Sequence, residues 1–118
     1  GATAFSRDSQ KGTNYSDYEG SIVEEYVNNY NSYLITQGVT PIEARLITKN
    51  ELINLGCSGS SCEPAPSWVY ATSYWSGSPD SSENVWAVLN PGIFYAYKCN
   101  LHSLGVRPVI VISKDYFN

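Results

Sequence analysis

Three cysteines and a single histidine bound the reactive chemistry open to this chain of 118 residues. In "CSGSSC", Cys57 and Cys62 flank a flexible four-residue loop that closes into a disulfide once the Cα atoms come within about 4.4–6.8 Å. A structural zinc site needs about four ligands of suitable type, which this spacing and one His do not supply. Cys99 is left over, either free and buried or paired outside this chain. Such cysteine use favours an exported, oxidising location.

Any Cys–His or Ser–His–Asp arrangement must use His102. Cys99 and His102 are three residues apart in a segment read as a turn between strands, so closeness alone is a weak sign of a nucleophilic pair. Asp80 and Glu83 have the residue types for acid and base work on a glycosidic bond, but they sit in a Ser-rich stretch without an apolar pocket to split their pKa values. Solvated loop acids are the simpler reading. Arg107 is read as half of a structural ion pair, buried or half-buried.

Aromatic residues offer a different chemistry. In "IFYAYKCNLHSLG", alternation puts Ile93, Tyr95, Tyr97 and Cys99 on one side of a strand and Phe94, Ala96 and Lys98 on the other. If the sheet packs helices on a single side, one of these faces is exposed. Tyrosines give large contact area at low entropy cost, and interleaved Asn and Ser adapt their hydrogen bonds, which is the composition of a binding surface. The competing account is that these tyrosines cover the second face of the sheet.

Composition narrows the partners. Charged residues are 15% of the chain and hydrophobic ones 42%, so the chain should fold alone as one domain over residues 1–118. Net charge is -4 with only seven Lys and Arg, which disfavours a nucleic-acid partner because counterion release needs clustered cations. No run approaches the roughly 18 apolar residues of a membrane span, so no direct membrane insertion is expected.

The elements that must position these residues follow from local pattern. Residues 1–20 show no sustained periodicity and read as an irregular lead-in. In "SIVEEYVNNYNSYLITQG", Ile22, Val23, Tyr26, Val27, Tyr30, Tyr33 and Leu34 recur at helical steps, with Ser21 and Glu24 as a capping box and Gly38 as the stop. "VTPIEARLI" reads as a bend into a short buried strand. Thr48 and Glu51 form a second capping box for the helix "KNELINL", which Gly56 ends. "SWVYATSYW", "NVWAVL", "IFYAYKC" and "GVRPVIVIS" read as strands, with "NPG" as a turn. Pro108 lacks a ladder donor, so an edge, bulge or loop is expected there. The sum is an α+β domain of helices packed on three or four antiparallel strands.

Two stretches carry a family resemblance. "ARLITKNELINLG" resembles the Arg-Leu-Pro-Thr…Glu step of C-type-lectin-like domains of the formylglycine-generating-enzyme and diversity-generating-retroelement variable-protein type. "YWSGSPDSSENVWAVLNPG" followed by "GVRPVIVIS" resembles their closing pattern, and together the matches span residues 43–113. The resemblance implies two helices packed on a twisted antiparallel sheet, Trp75 and Trp86 filling the core, and a long Ser-rich loop that makes an exposed platform with the last hairpin. Such platforms bind ligands on bacterial cell-surface or pilus-associated proteins. Ala65 stands where a calcium ligand would fall in "CEPAPSW", no Trp-Asn-Asp partner follows, and Cys99 alone cannot make a two-thiolate copper site. No metal, no cofactor and no oxidase activity are therefore expected.

The resulting expectation is a non-catalytic adhesin- or receptor-type domain. Its surface would be built from Ser78, Asp80, Ser82, Glu83, Phe94, Tyr95, Tyr97, Asn100 and His102, and would take a protein or glycan ligand on a cell or phage surface. A structural pilin-like subunit is the alternative, and a hydrolase a further one.

Overall fold

The computed structural model describes residues 2–6, 14–41 and 43–113, so part of the lead-in and the last five residues lie outside the described residues. Within the lead-in, Ala2–Thr3 form a strand, β1, and Phe5 is fully buried. The expectation of an irregular lead-in is corrected to that extent, because an aromatic side chain with a place in the core outweighs missing periodicity.

Helix α1 spans Ile22–Thr36. Ser21 caps it as expected, its Oγ accepting from the Glu24 amide at 3.1 Å, while the Glu24 carboxylate reaches back one residue further than a capping box requires, to the Gly20 amide at 3.0 Å. The Ser21 amide is already given to the Tyr18 carbonyl. Val23 and Val27 are fully buried, whereas Tyr26, Tyr30 and Tyr33 are exposed. The apolar stripe of α1 is thus narrower than its periodicity implied. Gly38, at φ 86°, ends the helix in a region where a Cβ would be strained.

Strand β2, Glu43–Arg45, is half-buried rather than buried and pairs antiparallel with β7, Val109–Val111. Helix α2 follows over Lys49–Leu55, with both bonds of the Thr48/Glu51 capping box in place. Arg45 ties β2 to α2, its two terminal nitrogens reaching the two Glu51 oxygens at 2.6 and 2.7 Å.

"SWVYATSYW" is not one strand. Ser67–Val69 form a 3-10 turn that buries Val69, and β3 runs only over Tyr74–Pro79. Strands β4, Asn84–Leu89, and β5, Ile93–Lys98, continue as a meander through Asn90-Pro91-Gly92. "GVRPVIVIS" is also divided. β6, Leu104–Gly105, lies parallel to β3 and antiparallel to β1, and β7 begins only after Pro108, which falls in the connection, where its missing donor costs no ladder bond. The sheet order is β1-β6-β3-β4-β5, mostly antiparallel, beside the separate β2-β7 pair.

Strand alternation then builds two cores. Trp75, Val85 and Ala87 point to one face with Phe5, Val23, Val27 and Leu104. Tyr74, Val88 and Phe94 point to the other with Leu52, Val69 and the two bonded cysteines. The chain is α+β, and its two described helices contribute to opposite faces of the sheet, so the condition of helices on a single side does not hold.

Candidate functional site

The Ser-rich stretch is shorter as a loop than expected. Ser76 to Pro79 belong to β3, so only Asp80 to Glu83 form the connection, a tight turn in which the Asp80 and Ser81 amides donate to the Asn84 carbonyl. Two neighbours hold this turn. The Cys99 amide donates to the Glu83 carbonyl at 2.9 Å and the Ser16 amide to the Ser82 carbonyl at 3.1 Å. The turn is therefore fixed beside the end of β5 on one flank and the segment around Tyr15 on the other.

Asp80, Ser82 and Glu83 are exposed in this turn, and Asn100 and His102 are exposed in the segment that follows β5. Tyr95 is 58% exposed, and Tyr97 packs against the core while meeting Tyr95 edge to face at 5.6 Å. Both point to the α1 side of the sheet, opposite Ala87 and Val85, on β5, the outermost strand of the order.

Two expected members leave the set. Phe94 is 1% exposed on the opposite face, its ring centre 4.9 Å from that of Trp86 and tilted 34° to it, because Val88 across the strand pair points the same way into the α2 core. Ser78 is half-buried and its Oγ accepts the Lys49 amide at 2.9 Å, which anchors the first turn of α2 rather than a ligand. The stretch 93–104 is also no hairpin: after β5 the chain turns and crosses to β6, on the far side of β3. Tyr15, 40% exposed, precedes the Ser16 amide that holds the turn, in a segment that no sequence pattern marked.

Trp75 occupies the core as expected, with no exposure and its indole N–H given to the Thr3 carbonyl at 3.0 Å. Trp86 is only half-buried, roofed by the Lys49 ammonium 4.1 Å above its ring. Trp68 is 49% exposed.

Cys57 and Cys62 are bonded as expected, with Cα atoms 4.0 Å apart, slightly closer than the usual range, and both lie in the α2 core. Cys99 is free and buried, and burial pushes its thiol up to about 11 despite a hydrogen bond with Ser6. A nucleophilic thiol needs the opposite shift, and His102 stands outside in solvent. The two do not form a catalytic pair.

A cleft of about 300 Å³ lies elsewhere, lined by Trp68, Tyr74, Pro108 and Val109 with Arg107 and Glu51 as its charged groups. Arg107 makes no ion pair among the described residues, contrary to expectation. Its Nη1 donates to the Trp68 carbonyl at 2.8 Å, and the guanidinium stands 5.4 Å from the Trp68 ring centre and 5.0 Å from that of Tyr74. Four separate segments supply this cleft, so spacing could not reveal it; the one local signal was an aromatic residue placed after Pro64 and Pro66.

Among the described residues, no three His, Cys, Asp or Glu side chains group as a metal site, and no helix is long and apolar enough to cross a membrane. Comparison with family models, with curated proteins and with solved structures gives no match for this chain.

Proposed function

We propose that this chain is a non-catalytic ligand-binding domain of C-type-lectin-like type, displayed on a bacterial cell surface or pilus. Its recognition surface comprises Asp80, Ser82, Glu83, Tyr95, Tyr97, Asn100 and His102, with Tyr15 at its margin, and takes a protein or glycan partner.

The observation that carries this reading is the fixing of the Asp80–Glu83 turn by the Cys99 and Ser16 amides. A turn tied by its own carbonyls presents its side chains outward without an ordering cost on binding, and two tyrosines stand beside it in contact with each other. Against a hydrolase, Asp80, Glu83 and His102 are exposed at turns and do not line the cleft. The disulfide accords with an oxidising, extracellular setting.

The test is a screen of the chain against immobilised glycans and surface-protein extracts, repeated with Tyr95→Ala and with Asn100→Ala. Either substitution should weaken a captured partner about tenfold or more while leaving Tm within a few degrees. A partner retained by both variants sinks the proposed surface. For the filament-subunit alternative, concentration-dependent self-association in sedimentation that depends on Tyr26 and Tyr33 of α1 would be the contrary result.

A further inference from the structure

The cleft beside Trp68 has a chemistry unlike that of the tyrosine surface. Its walls are apolar, formed by Pro108, Val109 and the rings of Trp68 and Tyr74. Two charged groups face it, and among the described residues only one has its charge answered. Glu51 is gripped by both terminal nitrogens of Arg45 and also accepts the Thr48 amide at 2.9 Å. A ligand entering the cleft meets a neutralised carboxylate.

Arg107 is the reverse case. Its contacts among the described residues are the Trp68 carbonyl, the rings of Trp68 and Tyr74 and the Tyr74 phenol oxygen, all uncharged groups that orient the guanidinium without cancelling its charge. The Trp68 carbonyl and the Tyr74 phenol engage part of its five N–H groups, and stacking on a ring leaves the rest of the edge of the plane available. The head group is thus held in place beside an apolar hollow with donor capacity to spare.

The geometry points to a binding site for a small carboxylate with a flat or branched apolar body, its anionic group on Arg107 and its body against Trp68. A planar guanidinium matches a carboxylate through two parallel hydrogen bonds, which a half-buried apolar setting strengthens. The volume of about 300 Å³ sits at the lower end for small-molecule pockets and suits one ring with a short acid rather than a length of polypeptide. A neutral sugar fits poorly, because its hydroxyls need several converging polar partners and these walls would leave most of them unpaired. The site is independent of the tyrosine surface, and failure of either leaves the other standing.

The test uses phenylacetate and its neutral isostere phenylacetamide as probes, titrated through the millimolar range into the full ¹⁵N-labelled chain. The readout is the indole N–H resonance of Trp68, and that of Trp75, locked to the Thr3 carbonyl, serves as the internal control. The expected result is a saturable shift at Trp68 with phenylacetate, with phenylacetamide binding about tenfold or more weakly. Arg107→Gln should bring the acid down to the level of the amide. Equal affinity for acid and amide overturns the assignment, as does a Trp68 resonance that stays still throughout. Arg107→Gln also removes a partner from the Trp68 carbonyl and can weaken the fold, so the acid–amide comparison on the unaltered chain decides by itself. A peptide ending in Phe that binds tenfold tighter than phenylacetate, and only with a free carboxylate, would assign the cleft to a chain terminus and overturn the small-acid reading.

Discussion

Neighbouring residues on β5 have opposite fates, and their substitution should separate them. Tyr95→Ala removes a mostly exposed ring and should cost within about 0.5 kcal/mol of stability, Tyr97→Ala about 1–2 kcal/mol, and Phe94→Ala about 3–5 kcal/mol. Urea denaturation of the three variants checks the order; a Tyr95 variant as unstable as the Phe94 variant would show that the outer strand is core. Glu51 gives a pH prediction at the same scale. The hydrogen bonds from Arg45 first, and from the Thr48 amide next, hold its carboxyl at about 2, below its ordinary value of 4.5. A depressed folded-state pKa contributes stability that is complete above the unfolded value and is lost as pH falls from about 4.5 towards about 2. With its side chain 41% exposed, solvent screening reduces the effect to about 1 kcal/mol. Glu51→Gln should flatten that part of the stability–pH profile, and an unchanged slope between pH 5 and pH 2 would remove Glu51 from the account.

Elements with a local cause were readable from the sequence, and those with a distant cause were not. Ser21 and Thr48 announced both helices because a cap bonds within its own first turn, and "NVWAVL" and "IFYAYKC" declared strands by alternation. "SWVYATSYW" alternates equally well, yet closure behind Pro64 and Pro66 and burial of Val69 turn its first part into a 3-10 turn. The outward turn of Tyr95 was legible, but its reason was not: the helices sit on opposite faces, and no local pattern says which face a helix will cover. The α2 region should be the most sensitive to loss of its fastenings. Thr48→Ala removes the acceptor of the Glu51 amide and should cost about 1 kcal/mol. Replacing both Cys57 and Cys62 by Ala should cost about 2 kcal/mol or more, since a short loop contributes modest chain entropy while both sulfurs also fill the core. Calorimetry on each variant measures these; a cysteine pair that melts at the wild-type temperature would show that packing alone holds the region.

At the scale of the whole molecule, the chain's beginning belongs to its centre. Phe5 meets Trp75 edge to face at 5.5 Å, and Thr3 receives the Trp75 indole N–H. Phe5→Ala should therefore cost about 3–5 kcal/mol and shift tryptophan emission to the red, an outcome that an irregular lead-in would not produce. The tyrosine surface and the carboxylate cleft draw on the same arrangement, since one depends on Ser16 reaching the β3–β4 turn and the other on Arg107 reaching Trp68. Alternation along β5 made the tyrosines of the first legible but not the tie to Ser16, and the cleft was not legible at all, because these contacts join segments far apart in the chain.

Strand β6 carries a kinetic consequence. Gly105 stands opposite Ala2 on one side and beside Tyr74 on the other, so nearly the full chain must be collected before these two residues find both partners. Such distant pairings defer their reward until large loops have closed, which places folding in the millisecond-to-second range typical of topologies rich in non-local contacts. The β3-β4-β5 meander, joined by short turns, can gather first. In a pulsed hydrogen-exchange experiment its amides should gain protection early, and the Gly105 amide, which donates to the Ser73 carbonyl, should be among the last to do so.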